Sequence, residues 1–197
     1  FVLPTIDQCY EKGIKGLCII SAGFKEAGEE GAELEQQLLE KVRAYGMRCV
    51  GPNCLGVVNT DPAVKMDGCF AESLPQRGDI GFVSQSGALG GGILNILKDL
   101  NIGFSQFISI GNQADVNAET AIEYWENVDD VRQILLYMES IQNPANFRRL
   151  ASRVTKKKPI LALKAGRSAA GASAASSHTG SLAGSDRAAD ALLRQSG

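Results

Sequence analysis

The regular alternation of strand-like and helix-like segments is the feature of this sequence that most narrows its possible folds. Short apolar runs alternate with stretches in which apolar residues recur at helical spacing, as Leu34, Leu38 and Val42 do. Such alternation is typical of a parallel sheet covered by helices, so we predict an α/β fold. The predicted strands are residues 16–21, 47–50, 79–84, 104–110, 133–138 and 159–164.

The predicted elements form two blocks, residues 1–72 and residues 73–197. The first block has only two predicted strands, too few for a stable sheet, so we interpret it as the C-terminal part of a Rossmann-like domain. Because the chain does not begin with Met, we expect the other strands to precede residue 1 in a longer protein. Four strand–helix units in the second block predict a flavodoxin-like, doubly wound domain with its ligand crevice at the carboxyl ends of the strands. Between the blocks, three prolines in residues 51–78 predict a loop.

Charge and cysteine content exclude several classes of protein. The 20 Lys and Arg residues nearly balance the 22 Asp and Glu residues, so we expect no broad basic surface for nucleic acid. Five scattered cysteines and a single histidine show no metal-ligand spacing, so we predict no metal site in this chain. The odd number of cysteines indicates reduced thiols and a cytoplasmic protein. No apolar run in the sequence has the length of a membrane span.

The single histidine, His178, lies in a run composed almost wholly of Gly, Ala, Ser and Thr, between a predicted strand and a predicted helix. A lone histidine is more often structural than catalytic, but here the sequence offers no large apolar neighbours to pack against it. The composition predicts a flexible loop, and a neutral imidazole is a competent nucleophile toward phosphorus. Two interpretations stay open: a nucleophile that visits two sites, and a flexible linker that contains a histidine.

Three further segments place polar residues where predicted strands end. Ser86 and Gly87 lie at the turn from a strand into a helix, where free N–H groups bind phosphate, although a simple helix cap would look the same. Glu139 ends an apolar strand, where a carboxylate can accept the Nδ1–H of an imidazole or merely be exposed. Asn53 and Cys54 follow another strand. The asparagine can bond a ligand amide, and the cysteine can be a buried apolar residue or line a thiol-binding channel.

Six segments together resemble the α subunit of succinyl-CoA synthetase and, more closely, the ADP-forming acetyl-CoA synthetases. They are ISAGFKEAG at 20–28, GPNCLG at 51–56, GDIGFVSQSGAL at 78–89, SIGNQADV at 109–116, YMES at 137–140 and SHTGSLAGSD at 177–186. Their order and spacing make the resemblance specific, and it extends over essentially the whole chain. Ser177-His178-Thr179-Gly180 differs from the Gly-His-Ala-Gly usual in succinyl-CoA synthetases, which favours the acetyl-type branch.

The resemblance implies a role for each block. The first block corresponds to the end of a CoA-binding domain and the second to a ligase domain with a phosphohistidine loop. His178 matches the phosphorylated histidine, Glu139 matches the carboxylate that orients it, and Ser86 and Gly87 match the helix start that holds phosphate. The residues that match positions near CoA are Ser21, Ala22, Gly23, Asn53 and Cys54.

The implied reaction is reversible: acyl-CoA, ADP and phosphate give a carboxylic acid, ATP and CoA through a phosphohistidine. CoA and phosphate would bind here, whereas ADP or ATP with Mg²⁺ would bind an ATP-grasp domain or a β subunit, and we expect an oligomer. One alternative is a CoA- or acyl-CoA-sensing regulatory region of a protein-lysine acetyltransferase, against which the presence of His178 counts. A second alternative is a flavodoxin-like binding module without catalysis. For the ligase, we predict that Ser86, Gly87, Glu139 and His178 face one crevice.

Overall fold

The structure is a computed structural model that describes residues 1–71, 75–166 and 186–197. Within these ranges helices and strands alternate along the chain, so the α/β class predicted from the sequence is confirmed. None of the helices in the described part of the chain is long and apolar enough to cross a membrane.

The first block contains a small sheet with two helices. Its elements are α1 (Val2–Glu11), β1 (Gly16–Cys18), α2 (Glu29–Ala44) and β2 (Arg48–Val50). β1 and β2 pair in parallel as a separate two-stranded sheet. Leu38 and Val42 lie about one turn apart on α2, as the apolar spacing predicts, and both are fully buried in a cluster of first-block residues.

A six-stranded sheet forms the centre of the second block. Its strands are β3 (Gly56–Asn59), β4 (Met66–Cys69), β5 (Arg77–Ser84), β6 (Phe104–Ser109), β7 (Gln133–Met138) and β8 (Ile160–Lys164). The order across the sheet is β4-β3-β6-β5-β7-β8, and β5 to β8 are parallel. The partial order β6-β5-β7-β8 is that of a flavodoxin-like sheet, so the predicted fold of this block is confirmed.

The loop predicted over residues 51–78 is wrong in part, because this stretch contains the hairpin of β3 and β4. β3 runs antiparallel to both β4 and β6, and Val57 lies opposite Ile108. Each hairpin strand has only four residues, and β4 lacks alternating apolar residues, so neither stands out in the local sequence. The hairpin precedes the boundary predicted at residue 72, yet it hydrogen-bonds into the sheet of the second block.

Helices cover both faces of the six-stranded sheet. They are α3 (Gly87–Asp99), α4 (Ala118–Trp125), α5 (Pro144–Val154) and α6 (Asp186–Gln195). On one face, Trp125 and Phe147 are buried against strand residues that include Ile134. A Cβ at Gly81 would lie 2.8 Å from the Trp125 ring, so β5 needs glycine there for α4 to approach the sheet. On the other face, Leu94 of α3 packs against phenylalanines of β5 and β6.

Candidate active site

The carboxyl ends of β5, β6 and β7 meet at one edge of the six-stranded sheet, as the parallel order requires. A crevice of about 220 Å³ opens at this edge. Its lining consists of polar residues and glycine: Lys25, Gln85, Gly111, Asn112, Gln113, Glu139, Ser140 and Gln142. Lys25 comes from the first block, and the other lining residues follow the ends of the three strands. The crevice therefore lies between the ends of the strands and the first block.

Glu139 lies in this crevice directly after β7, and only 6% of its surface is exposed. The Gln85 side chain holds the turn in which Glu139 lies. Its Oε1 accepts hydrogen bonds from the backbone N–H groups of Glu139 and of Ser140, the latter at 2.9 Å. Its Nε2 donates to the Ser140 carbonyl oxygen at 2.8 Å. Glu139 is thus a buried carboxylate on a fixed turn, and the exposed strand end considered from the sequence is wrong.

Gln85 is a residue that the sequence analysis did not assign, although it lies in the quoted segment GDIGFVSQSGAL. Gln85 follows the last residue of β5, and its side chain reaches across to the end of β7. The ends of these two paired strands are buried. A long amide that directly follows a central, apolar strand was the signal available, because such a side chain can satisfy the turn of the adjacent strand.

Ser86 and Gly87 begin α3 beside the crevice. Ser86 is the N-cap, and its Oγ accepts a hydrogen bond from the Leu89 N–H at 3.3 Å. A Cβ at Gly87 would lie 3.3 Å from the Leu55 side chain, so the start of the helix is close to the loop that follows β2. Among the described residues, the lining of the crevice includes Gln85 but neither Ser86 nor Gly87. The helix start adjoins the crevice rather than forming its wall.

Asn53 and Cys54 lie on the loop between β2 and β3. Asn53 adopts a left-handed conformation (φ 56°), and its Nδ2 donates to Asn112 Oδ1 at 3.2 Å. Cys54 is buried, and its Sγ lies 3.8 Å from Cys18 Sγ and 3.4 Å from the Ile19 carbonyl oxygen. The contact with Cys18, and then burial, raise the pKa of the Cys54 thiol. Cys54 is therefore a neutral, packed thiol rather than a thiolate nucleophile.

The loop of Ser21, Ala22 and Gly23 lies beside Asn53. The Asn53 N–H donates to the Ser21 carbonyl oxygen at 2.9 Å, so the two candidate CoA segments are in direct contact. All three loop residues are exposed. Gly23 has a positive φ of 98°, and a Cβ built there meets no atom within 4 Å. The five residues expected near CoA therefore form one corner of the molecule, next to the crevice.

His178 lies outside the described residues. Of the groups predicted to share one crevice, Glu139 lines it and the Ser86–Gly87 helix start adjoins it, while the meeting with His178 stays a prediction. The described ranges contain no group of three or more His, Cys, Asp or Glu side chains that could hold a metal ion.

Comparisons with known proteins match both blocks of the chain. The family model for the succinyl-CoA ligase like flavodoxin domain matches residues 77–197. The α subunit of acetate–CoA ligase (ADP-forming) II from Pyrococcus furiosus is 47% identical over 100% of this chain, which covers 42% of that subunit. Acetate–CoA ligase (ADP-forming) from Methanocaldococcus jannaschii is 43% identical over 100% of this chain, which covers 27% of that protein.

A solved structure agrees with these matches. Acetyl-coenzyme A synthetase 1 from Candidatus Korarchaeum cryptofilum, in complex with phosphate and ADP, superposes with a TM-score of 0.93 at 38% identity. The match covers 99% of this chain and 42% of that chain, so the present chain spans less than half of the relatives' length. The resemblance inferred from the six sequence segments is confirmed: the chain belongs to the succinyl-CoA ligase like flavodoxin domain family and is related over its whole length to ADP-forming acetyl-CoA synthetases.

Proposed function

We propose that this chain is the α-type region of an ADP-forming acid–CoA ligase of the acetate–CoA ligase kind. The complete enzyme would interconvert acyl-CoA, ADP and phosphate with a carboxylic acid, ATP and CoA. The observation that carries the proposal is the contact between the two candidate sites. Asn53, in the corner expected to bind CoA, donates a hydrogen bond to Asn112, which lines the crevice that contains Glu139. The relatives that match the whole of this chain are named as ADP-forming acetate–CoA ligases, and they support the same reaction.

The proposed chemistry is a phosphoryl relay through His178. A phosphate oxygen bonds to the thioester carbonyl carbon, the C–S bond breaks, and an acyl phosphate forms while CoA leaves as the thiol after protonation. A ring nitrogen of His178 then bonds to phosphorus, and the P–O bond to the acyl group breaks, so the carboxylate leaves. The phosphoryl group passes from His178 to ADP, which gives ATP and restores the imidazole.

Each candidate residue has a defined task in this relay. The Glu139 carboxylate accepts the Nδ1–H of His178, so that Nε2 is free to attack phosphorus and the positive charge on the ring is stabilised. Gln85 fixes the turn that carries Glu139. The N–H groups at the start of α3, at Ser86 and Gly87, donate to phosphoryl oxygens, and the helix dipole favours that negative charge.

The remaining parts of the enzyme lie in other segments or chains. The first block, with Ser21, Ala22, Gly23, Asn53 and Cys54, would hold the pantetheine end of CoA. ADP or ATP with Mg²⁺ would bind an ATP-grasp domain or a β subunit. We also propose a cytoplasmic location, which the five free cysteines support, and an oligomeric enzyme. The ligase names of the relatives favour this function over a regulatory region of an acetyltransferase.

The test uses the full-length protein together with any separate β subunit. We expect ATP to form from acetyl-CoA, ADP and phosphate, and we expect His178→Ala to abolish this activity. Glu139→Gln keeps the shape of the side chain but removes its charge, and should lower turnover on the order of 10²-fold or more. A wild-type rate in His178→Ala would rule out the relay, and a wild-type rate in Glu139→Gln would remove Glu139 from it.

A further inference from the structure

We propose that Asn112 is a positioning residue that couples the candidate CoA loops to the crevice, and that the coupling serves only the half-reaction that uses acyl-CoA. The inference rests on the proposed function. Asn112 follows the end of β6, lines the crevice and is 7% exposed. It belongs to the second block, yet its side chain bonds three side chains of the first block. None of the steps of the proposed relay uses Asn112.

The Asn112 amide is fully used by these bonds. Its Nδ2 donates to a Glu26 oxygen and to Glu35 Oε2, the latter at 2.7 Å. Its Oδ1 accepts from Asn53 Nδ2 at 3.2 Å. An amide offers two N–H donors and one carbonyl acceptor, so all three groups have first-block partners. No other residue type of this size combines two donors and an acceptor in that arrangement, which explains why asparagine is suited to the position.

Glu26 carries the connection on to the Ser21–Gly23 loop. Its Oε1 accepts from the Gly23 N–H at 2.6 Å and from the Phe24 N–H at 3.1 Å. Burial raises the pKa of the Glu26 carboxyl, but the hydrogen bonds from Asn112 and from these N–H groups outweigh burial and leave the pKa below its ordinary value. The charged carboxylate is therefore the form that holds the loop. Two consecutive hydrogen bonds then join a crevice residue to Gly23.

Lys25 supplies a positive charge beside the two carboxylates that bind the Asn112 amide. Its Nζ lies 3.2 Å from Glu35 Oε1 and also donates to the Asn112 carbonyl oxygen. The ammonium group thus offsets the repulsion between Glu26 and Glu35, and it binds the Asn112 main chain as well. Asn112, Glu26, Glu35 and Lys25, which we call the Asn112 cluster, connect the blocks through one ion pair and a set of hydrogen bonds.

The main chain fits equally closely at this junction. The Asn112 N–H donates to the Pro52 carbonyl oxygen at 2.9 Å. Gly111 has a positive φ of 51°, and a Cβ there would lie 2.3 Å from the carbonyl oxygens of both Pro52 and Asn53. The turn after β6 is therefore in van der Waals contact with the loop that carries Asn53. A change in the Asn112 side chain should therefore shift both candidate CoA segments. It contacts the Asn53 loop directly and the Ser21–Gly23 loop through Glu26.

The two half-reactions depend differently on this junction. Attack of phosphate on the thioester requires an acyl-CoA held by first-block loops to meet a phosphate held at the crevice. A misplacement of about 1 Å in such an encounter can cost about 10²-fold in rate. Phosphoryl transfer between ATP and His178 uses the crevice and the nucleotide-binding partner, without the CoA loops. Loss of the Asn112 cluster should therefore slow the first half-reaction and spare the second.

The experiment uses the full-length protein together with any separate β subunit, and compares the rates at which the protein is phosphorylated from two donors. One donor is acetyl-CoA with ³²P-phosphate, and the other is ATP labelled with ³²P at the γ position. Asn112→Ala removes the three side-chain hydrogen bonds to the first block without adding a charge to the crevice, and should slow labelling from acetyl-CoA about 10²-fold. Labelling from ATP should stay within about twofold of wild type. Glu26→Gln, a milder change at the other end of the connection, should show the same donor-specific loss.

Asn117→Ala is the matched control. Asn117 caps α4, with its Oδ1 accepting from the Thr120 N–H at 2.9 Å, and it lies in the same connection between β6 and α4. Its loss should weaken the start of α4 without altering the ratio of the two labelling rates. Equal slowing from both donors in Asn112→Ala and Glu26→Gln, or wild-type rates in both variants, would overturn the coupling. A wild-type protein labelled by neither donor would overturn the proposed function, and the coupling with it.

Discussion

The two sheets of this chain are held together in different ways. In the six-stranded sheet, the last four residues of β5 are buried, and helices lie on both faces. In the two-stranded sheet, Cys49 is the buried residue of β2, and none of the three residues of β1 is fully buried. The second block thus fixes Gln85 and Glu139 through its own core. The candidate CoA loops adjoin a smaller core of the first block and are also held by hydrogen bonds to residues 111–116 of the second block.

The largest effect is expected from Trp125→Ala, which opens a cavity in the core of the second block. Trp125 is fully buried, packs over Gly81 and donates from Nε1 to Gln106 Oε1 at 2.8 Å. The substitution should lower the free energy of opening of β5 and β7 by about 3–5 kcal/mol, as measured by amide hydrogen exchange of the full-length protein. Tyr124→Ala is the control, since Tyr124 is 56% exposed and should change this free energy by less than about 0.5 kcal/mol.

If Trp125→Ala and Tyr124→Ala had similar effects, the second block would not be held by its core.

A smaller effect is expected at the junction. Asp115 Oδ2 accepts from the Cys49 N–H at 2.9 Å and from Arg48 Nε at 2.7 Å. Asp115→Ala leaves the Cys49 N–H without its acceptor, and should lower the opening free energy of β2 by about 1–3 kcal/mol. Arg48→Ala removes only the partner whose side chain is 59% exposed, and should cost less than about 1 kcal/mol. Hydrogen exchange of β2 and β7 in the same samples measures both effects.

In Asp115→Ala, the exchange of β7 should stay unchanged. A parallel loss of protection in β7 would contradict the view that the second block is held by its own core. An equal loss in both variants would assign the stability of β2 to the exposed ion pair instead.

The smallest effect concerns Glu119 in the first turn of α4, which is 5% exposed. Burial raises the pKa of this carboxyl, and its Oε1 has no hydrogen-bond partner among the described residues. A raised pKa means that the carboxyl destabilises the fold increasingly as the pH rises from its ordinary value of 4.5 through its value in the folded protein. The Glu119→Gln variant should therefore be as stable as wild type below about pH 4.5 and slightly more stable than wild type near neutral pH.

Thermal unfolding of both proteins across this pH range measures the difference. A wild-type advantage that grows with pH would show that the ionised Glu119 has a stabilising partner.

The parts of the fold that the sequence predicted are those with strong local patterns. The four strands β5 to β8 have five to eight residues, each with several apolar side chains, and their connections contain helices of ordinary length, so both their existence and their parallel arrangement could be predicted. β3 and β4 were missed because four residues carry little periodicity, and because β3 pairs with β6 about 50 positions away. Pairing of that kind is decided by the assembled sheet rather than by the segment itself.

In the candidate site, too, some residues could be recognised from the local sequence and others only from the fold. Glu139, Ser86 and Asn53 could be singled out as candidates because each lies at a strand end within a family motif, and their roles stay predictions. Gln85 and Asn112 lie in quoted motifs too, but their partners are 54 or more positions away, so their tasks became visible only with the fold. A polar side chain in a turn has many possible partners in sequence and only a few in space.

The measurement that tests the central claim most directly is the location of the phosphoryl group. The full-length protein, together with any separate β subunit, is mixed with acetyl-CoA and phosphate, digested at alkaline pH and analysed by tandem mass spectrometry. The proposed relay predicts a phosphoryl group on the imidazole of His178, which is lost on addition of ADP as ATP appears. ATP formation with no phosphoryl group on His178, or with a stable one on another residue, would contradict it.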